Sequence, residues 1–224
     1  MNDIRRALEG VRKRIEKACR SAGRDVSEVR LIAVTKTVAA DRVREAIGAG
    51  LKDFGENYVQ EARRKVEAVG IEGVRWHMTG HIQSNKAKYL PGLFDCVHTV
   101  DRATILDVLE KHGKPMNVLF EVNLSGEATK HGVTVDGLRK VLERALSLQN
   151  LRPVGLMTMP PYTEDPEDVR GIFRQLKATR DTMNAEFGLS MTELSMGMSS
   201  DFEVAIEEGA TMVRIGTALF GERL

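Results

Sequence analysis

Arg30-Leu31-Ile32-Ala33-Val34-Thr35-Lys36 is a short apolar, β-branched run closed by a cation. Apolar residues set side by side, instead of alternating with polar ones, mark a strand covered on both faces, as in a parallel sheet flanked by helices. Upstream, Ile4, Leu8, Val11, Ile15, Ala18 and Ala22 recur at steps of three and four, with Arg and Glu between them and Gly23 after them. That spacing predicts an amphipathic helix ahead of the first strand, at 31–35. Downstream the two patterns alternate, with further strands expected at 53–55, 75–79, 96–100, 117–122, 153–157, 193–195 and 212–215. Asp41 opens a helix that ends before Gly50, and Asp101 can cap another that runs to Gly113. Asp165-Pro166-Glu167-Asp168 supplies an N-cap, a proline at the first helical position and acids in the first turn. The helix that follows carries Val169, Ile172, Phe173, Leu176 and Met183 on one face.

Strands alternating with helices imply right-handed crossovers and a parallel sheet. Eight such units in 224 residues leave about 28 residues each, tight but sufficient for a small closed barrel. The expected fold is α/β, a (β/α)8 TIM-type barrel with an extra N-terminal helix, an open doubly wound sheet being the alternative. No composition shift or Pro/Ser-rich linker breaks the series, so residues 1–224 read as one domain.

Composition removes several classes of function. Lys+Arg 33 against Asp+Glu 32 leaves a net charge of +1, without the basic excess of a nucleic-acid binder. The apolar runs fall far short of the ~20 residues needed to span a bilayer, and the first residues carry no leader-like apolar segment. Cys19 and Cys96 are the two cysteines and form no CxxC, which suits a reducing, cytoplasmic setting; Asn123-Leu124-Ser125 is then a chance match to a glycosylation site.

In a barrel, chemistry belongs at the C-terminal ends of the strands. Lys36 stands there. An unperturbed lysine amine is only ~0.04% neutral at pH 7, but desolvation lowers its pKa and makes it a nucleophile for an aldehyde or ketone. Ser195-Met196-Gly197-Met198-Ser199-Ser200-Asp201 follows the seventh strand and leads into a helix with Ala205 and Ile206. Val213-Arg214-Ile215-Gly216-Thr217 ends the eighth, and Thr217-Ala218-Leu219-Phe220 can begin a short last helix. Small residues there let backbone N–H groups approach an anion, and barrels commonly seat a phosphate in these two loops. The candidate ligand is therefore a phosphorylated carbonyl compound: pyridoxal phosphate fits, and so does a sugar phosphate on a lysine-dependent aldolase. His77 and His81 have a spacing that suits a metal on a helix, but 76–79 is expected to be a strand, and no metal is expected. His98, His112 and His131 show no partner pattern; Met196 and Met198 read as pocket wall.

These residues fall into ordered motifs. They are Ala33-Val34-Thr35-Lys36-Thr37, Phe54-Gly55-Glu56-Asn57-Tyr58-Val59-Gln60-Glu61, Trp76-His77-Met78-Thr79-Gly80-His81-Ile82-Gln83-Ser84-Asn85-Lys86 and Gly155-Leu156-Met157-Thr158-Met159, followed by the two loops above. Through most of its length the chain resembles the pyridoxal phosphate homeostasis protein family, single-domain relatives of the barrel half of alanine racemase. The resemblance implies that Lys36 forms an imine with pyridoxal phosphate. It implies further that Ser199, Gly216 and Thr217 hold the phosphate, Asn57 lies in the cofactor shell and Arg214 faces the pyridine nitrogen. Many relatives carry a second lysine two positions after the first; here Val38 stands there.

A guanidinium can only donate to the ring nitrogen, which leaves the ring a poor electron sink. In alanine racemase a second domain and a partner subunit supply a tyrosine base and cover the cofactor. This chain ends where that domain would begin, and Tyr58, Tyr89 and Tyr162 lie in no motif matching that base. The expected function is a non-catalytic carrier that buffers pyridoxal phosphate and keeps vitamin B6 and amino-acid pools balanced, with apoenzymes that use the cofactor as recipients. A minimal amino-acid racemase is the alternative. A monomer is expected, since no partner is needed to complete the site.

Overall fold

The computed structural model describes residues 3–70, 72–127 and 130–221. Among them, eight parallel strands close into a barrel: β1 (Arg30–Val34), β2 (Asp53–Glu56), β3 (Arg75–Met78), β4 (Cys96–Val100), β5 (Met116–Glu121), β6 (Leu151–Met157), β7 (Glu193–Ser195) and β8 (Met212–Ile215). Closure comes from β1 pairing with β8, with Leu31 opposite Val213 and Ala33 opposite Ile215. The open doubly wound sheet is thereby excluded.

The helices are α1 (Ile4–Ser21), α2 (Ala40–Gly48), α3 (Val59–Val69), α4 (Ala103–Glu110), α5 (Val135–Leu146), α6 (Arg170–Phe187), α7 (Phe202–Glu207) and α8 (Thr217–Phe220). α1 is the expected extra helix. Its Ile4, Leu8, Val11, Ile15 and Ala18 are buried, and it packs on α7 and α8. Arg14 reaches across to Glu203 at 2.6 Å and lies 4.4 Å over the Phe202 ring, so α1 braces the segment after β7. On α6, Val169 ahead of the helix and Phe173, Leu176 and Met183 within it are buried; Ile172 is partly so.

Three local readings change. Between β3 and β4 the described chain forms a 3₁₀ segment, Ala87–Gly92, with Pro91 inside it; the missing N–H and the ring clash of proline disfavour a regular α-helix there. Asp101 does not cap α4, whose N-cap is Arg102; its carboxylate instead pairs with Arg102 and lies 3.4 Å from His81. Asp165 caps a 3₁₀ turn, Pro166–Val169, that precedes α6, rather than α6 itself.

The sheet is bent at one place with consequences for packing. Along β5–β6 the register passes from Val118 opposite Pro153 to Leu119 opposite Gly155, leaving Val154 as a bulge. The bulge brings the β7 backbone onto Gly155: a Cβ built there would lie 1.9 Å from the Glu193 carbonyl oxygen. Glycine is needed here for space, not for its dihedral range.

Candidate functional site: a cleft at the C-terminal ends of the strands

A cleft of about 350 Å³ opens where the strands end, and Lys36, Asn57, Ser199, Arg214, Gly216 and Thr217 all line it. Barrel closure is what unites them. The β1–β8 register sets the backbone of Val34 beside Gly216, where an added Cβ would stand 3.5 Å from the Val34 carbonyl oxygen. Val38 lines the cleft too, giving it an apolar wall next to Lys36.

The turn that carries Lys36 is held from behind by a buried network. Lys65 on α3 donates to the Thr35 carbonyl and to Glu56 and Glu61, both at 2.7 Å. Thr35 donates its hydroxyl to Glu56 at 2.5 Å, and Glu61 accepts the Thr37 N–H at 2.5 Å. Thr37 needs that support, because its φ of 66° is left-handed, a conformation that costs a non-glycine residue about 1–3 kcal/mol. Burial pushes the Glu56 carboxyl up despite Lys65 and Thr35. Breaking this buried pair by removing one partner is the costly kind of change.

Across the cleft, the loops after β7 and β8 converge. Gly197 turns the first loop at φ 90°, where a Cβ would lie 2.7 Å from that of Ala205. Asp201 accepts the Met198 N–H at 2.6 Å, and the Ser199 hydroxyl accepts the Ala218 N–H at 3.3 Å. The Ser199–Ala218 bond ties the two loops together, and Ser199, Gly216 and Thr217 line one stretch of the cleft. Asn57 is set by Thr79, whose hydroxyl donates to its Oδ1 at 3.1 Å. Gly80 allows this approach, since a Cβ there would fall 2.4 Å from the Asn57 carbonyl oxygen.

Arg214 is not a surface cation. It is 4% exposed and donates to Ser195 Oγ at 2.8 Å and to the Thr158 carbonyl at 3.0 Å. Burial pulls its pKa down to about 10, with Glu121 and Asp201 opposing, so it stays cationic at neutral pH. A chain of hydrogen bonds leads away from it through the barrel: Ser195 Oγ to His98 Nδ1 at 2.8 Å, His98 Nε2 to His77 Nδ1 at 2.9 Å, and His77 Nε2 to Asp53 at 3.0 Å. Its direction follows from the ends. Burial alone would raise the Asp53 carboxyl, but bonds from Arg75 and His77 hold it at about 2, so it only accepts. His77 then donates from Nε2, and with its Nδ1 as acceptor His98 donates from Nε2 and Ser195 from its hydroxyl. Desolvation keeps His98 neutral, as that assignment requires. His98 thus has two partners that its sequence context did not announce, and His131 stacks on His81 with ring centroids 3.7 Å apart. His77 and His81 do not share a helix, since β3 ends at Met78.

Sequence reasoning missed Thr79, Met159, Tyr162 and Ser200, which also line the cleft. Tyr162 is 86% exposed at its rim. Of the two methionines read as wall, Met198 lines the cleft and Met196 is buried in the core. The inward parity of His77 on β3 and His98 on β4 was the one available signal for the hydrogen-bond chain.

Glu121, at the end of β5, makes the stability of the fold pH-sensitive. Burial first, then the Asp101 charge, hold its carboxyl up to about 7, with Arg214 opposing. A folded-state pKa raised above the unfolded value means stability that is full below about 4.5 and declines as pH rises through about 7. The expected loss between pH 5 and 7.5 is up to about 3 kcal/mol, and Glu121→Gln removes it. Paired thermal melts of parent and variant across that range check this; parallel profiles refute it. Asp53 has the opposite sign: its contribution is present above about pH 4 and is lost as pH falls through about 2.

The arrangement defines a class, a (β/α)8 barrel with a lysine and two hydroxyl-bearing loops lining one cleft at its strand ends. Residues 8–224 match the family described as alanine racemase, N-terminal domain. The fold of alanine racemase from Clostridium difficile 630 superposes with a TM-score of 0.75 at 14% identity, covering 99% of this chain and 57% of that one. Closer in sequence is the pyridoxal phosphate homeostasis protein of Aquifex aeolicus, 48% identical over 220 residues, 96% of each chain. PipY of Synechococcus elongatus PCC7942, solved with PLP bound, has a TM-score of 0.85 at 34% identity, covering 97% of this chain and 100% of that one. The chain belongs to the pyridoxal phosphate homeostasis protein family.

Proposed function

We propose that the protein binds pyridoxal phosphate in this cleft and carries or buffers it without turnover, serving vitamin B6 and amino-acid homeostasis. The observation that carries the reading is the convergence of the Lys36 amine, the buried Arg214 guanidinium and the two donor loops on one cleft. The donor set suits the cofactor. Hydroxyls of Ser199 and Thr217 with the backbone at Gly216 would take the phosphate, Asn57 would flank the ring, and Lys36 would take the aldehyde. The bound cofactor supplies an aldehyde that condenses reversibly with a primary amine. Relatives named for this cofactor's homeostasis, and PipY with PLP bound, support the reading.

Two features argue against turnover. Arg214 has only donors to offer a ring nitrogen, which favours an unprotonated ring and a weak electron sink. Racemisation also needs a second positioned base and exclusion of water, whereas Tyr162, the tyrosine at the cleft, is 86% exposed. Residues 1–224 act in this reading as one cofactor-binding domain in the cytoplasm, a monomer that hands its cargo to apoenzymes. The visible spectrum before and after adding pyridoxal phosphate tests binding. Racemisation or transamination of free amino acids at roughly 1–1000 per second would overturn the carrier reading.

Thr217→Val tests the phosphate end. The change is nearly isosteric and removes one hydroxyl, so cofactor retention should weaken by about 1–3 kcal/mol in equilibrium dialysis. Retention equal to the parent would move the phosphate elsewhere.

A further inference from the structure

Among the described residues Thr37 is the one non-glycine with a positive φ, and it directly follows Lys36. The turn they share is closed by the Val38 N–H, which donates to the Thr35 carbonyl at 2.9 Å. A turn with its third residue at positive φ ordinarily carries glycine or asparagine there. Threonine, branched at Cβ, keeps that conformation only where the surroundings over-determine it. Its hydroxyl donates to the Lys36 carbonyl at 2.6 Å, inside the turn. Its N–H donates to Glu61 Oε1 at 2.5 Å, and among the described residues this is the Thr37 hydrogen bond that leaves the turn. Glu61 is held in place by Lys65, one turn further along α3, at 2.7 Å.

We propose that Glu61 is a positioning residue for Lys36: its carboxylate holds the turn after β1 in the left-handed form that keeps the amine at the cleft. Without that acceptor Thr37 relaxes to negative φ. The change must then be absorbed by the dihedrals of its neighbours Lys36 and Val38, both of which line the cleft. The inference rests on the reading of Lys36 as the residue that takes the aldehyde, and adds to it a residue outside the cleft lining. In that step the neutral amine attacks the carbonyl carbon, a C=N bond replaces C=O, and the oxygen leaves as water with both amine protons. Only molecules whose turn is in the competent form present the amine, so the rate scales with their fraction.

Rapid mixing of the protein with pyridoxal phosphate, followed through the visible imine band, tests this. Pyridoxine phosphate, with an alcohol in place of the aldehyde, serves as the ligand that binds without condensing. Glu61→Ala should slow imine formation about tenfold and leave pyridoxine phosphate affinity within about twofold of the parent. Glu61→Gln, which keeps an oxygen for the Thr37 amide but not the charge, should restore the rate to within about twofold. Glycine adopts positive φ freely, so with Thr37→Gly in place the further change Glu61→Ala should cost less than about twofold. Amide exchange at Thr37 in the cofactor-free protein reads the turn by itself: slow in the parent and in Glu61→Gln, fast in Glu61→Ala. A slow rate that persists in Glu61→Gln assigns the effect to charge, and one that persists beside Thr37→Gly assigns it to Lys65; either overturns the proposal. So do a Glu61→Ala rate or Thr37 exchange equal to the parent's, and pyridoxine phosphate affinity that falls in step with the rate. Should Glu61→Ala not fold, Glu61→Asp, whose acceptor is set back by one methylene, carries the same comparisons. No imine in the parent overturns the cofactor reading and this proposal with it; with an imine in the parent, the rates judge Glu61 alone.

Discussion

Lys36→Ala should abolish every borohydride-reducible attachment of pyridoxal phosphate and weaken retention by a factor on the order of 100 or more, about 3 kcal/mol. The reasoning is local. Lys36 is the lysine that lines the cleft, and it is set there by a left-handed Thr37 and by the Lys65–Glu56–Glu61 network behind the turn. The bonds from Lys65 to Thr35, Glu56 and Glu61 remain in the variant and support the β1 end. The donors of Ser199, Thr217 and Arg214 also remain, and weak noncovalent binding through the phosphate should persist. Lys36→Arg separates charge from nucleophilicity, because a guanidinium stays protonated and cannot attack a carbonyl. It should behave as the alanine variant does in borohydride trapping. Peptide mass analysis after reduction reads the outcome, and an undiminished adduct in either variant would mean that another amine captures the aldehyde.

The second large effect concerns the fold. Gly155→Ala places a methyl group 1.9 Å from the Glu193 carbonyl oxygen and 2.6 Å from its carbon. Both are backbone atoms of a paired strand, so no rotamer change relieves the contact, and β6 and β7 must separate where Gly155 pairs with Glu193. Overpacking of this kind costs about 3 kcal/mol or more, less the fraction of a kcal/mol gained by stiffening the unfolded chain. For a chain of this size that is a fall in Tm of about 6–12 °C. Gly10→Ala is the control: it lies in α1 with nothing within 4 Å of the added Cβ, and should stabilise by about 0.5–1 kcal/mol. Equal melting temperatures for Gly155→Ala and the parent would refute the bulge argument. Because β7 ends at Ser195, which holds Arg214, the same variant should also loosen the cofactor.

Much of this architecture was legible before any coordinates. Strands at 96–100, 193–195 and 212–215 were read to the residue, and the others lie within two residues of their observed ends, because strands buried on both faces are contiguous apolar runs. α1 was equally plain from its three- and four-residue repeat, and α8 from its small residues. The segment between β3 and β4 was harder, since Pro91 bars a regular helix without forbidding a 3₁₀ turn. Lys36 and the two loops bearing Ser199, Arg214, Gly216 and Thr217 were picked out by their place at strand ends and Asn57 by family resemblance, and all six line the cleft.

What the linear chain determined, then, was the alternation of buried strands and amphipathic helices, and the placement of an amine and two glycine-bearing loops at strand ends. Those properties depend on neighbours within about four positions, where periodicity and turn chemistry act. Only tertiary structure decided that Asp53, His77, His98, Ser195 and Arg214, from five separate strands, form one directed hydrogen-bond chain. The same holds for the crowding at Gly155. Each depends on which side chains share the barrel's interior, and closure of β1 onto β8 sets that through contacts no local spacing encodes.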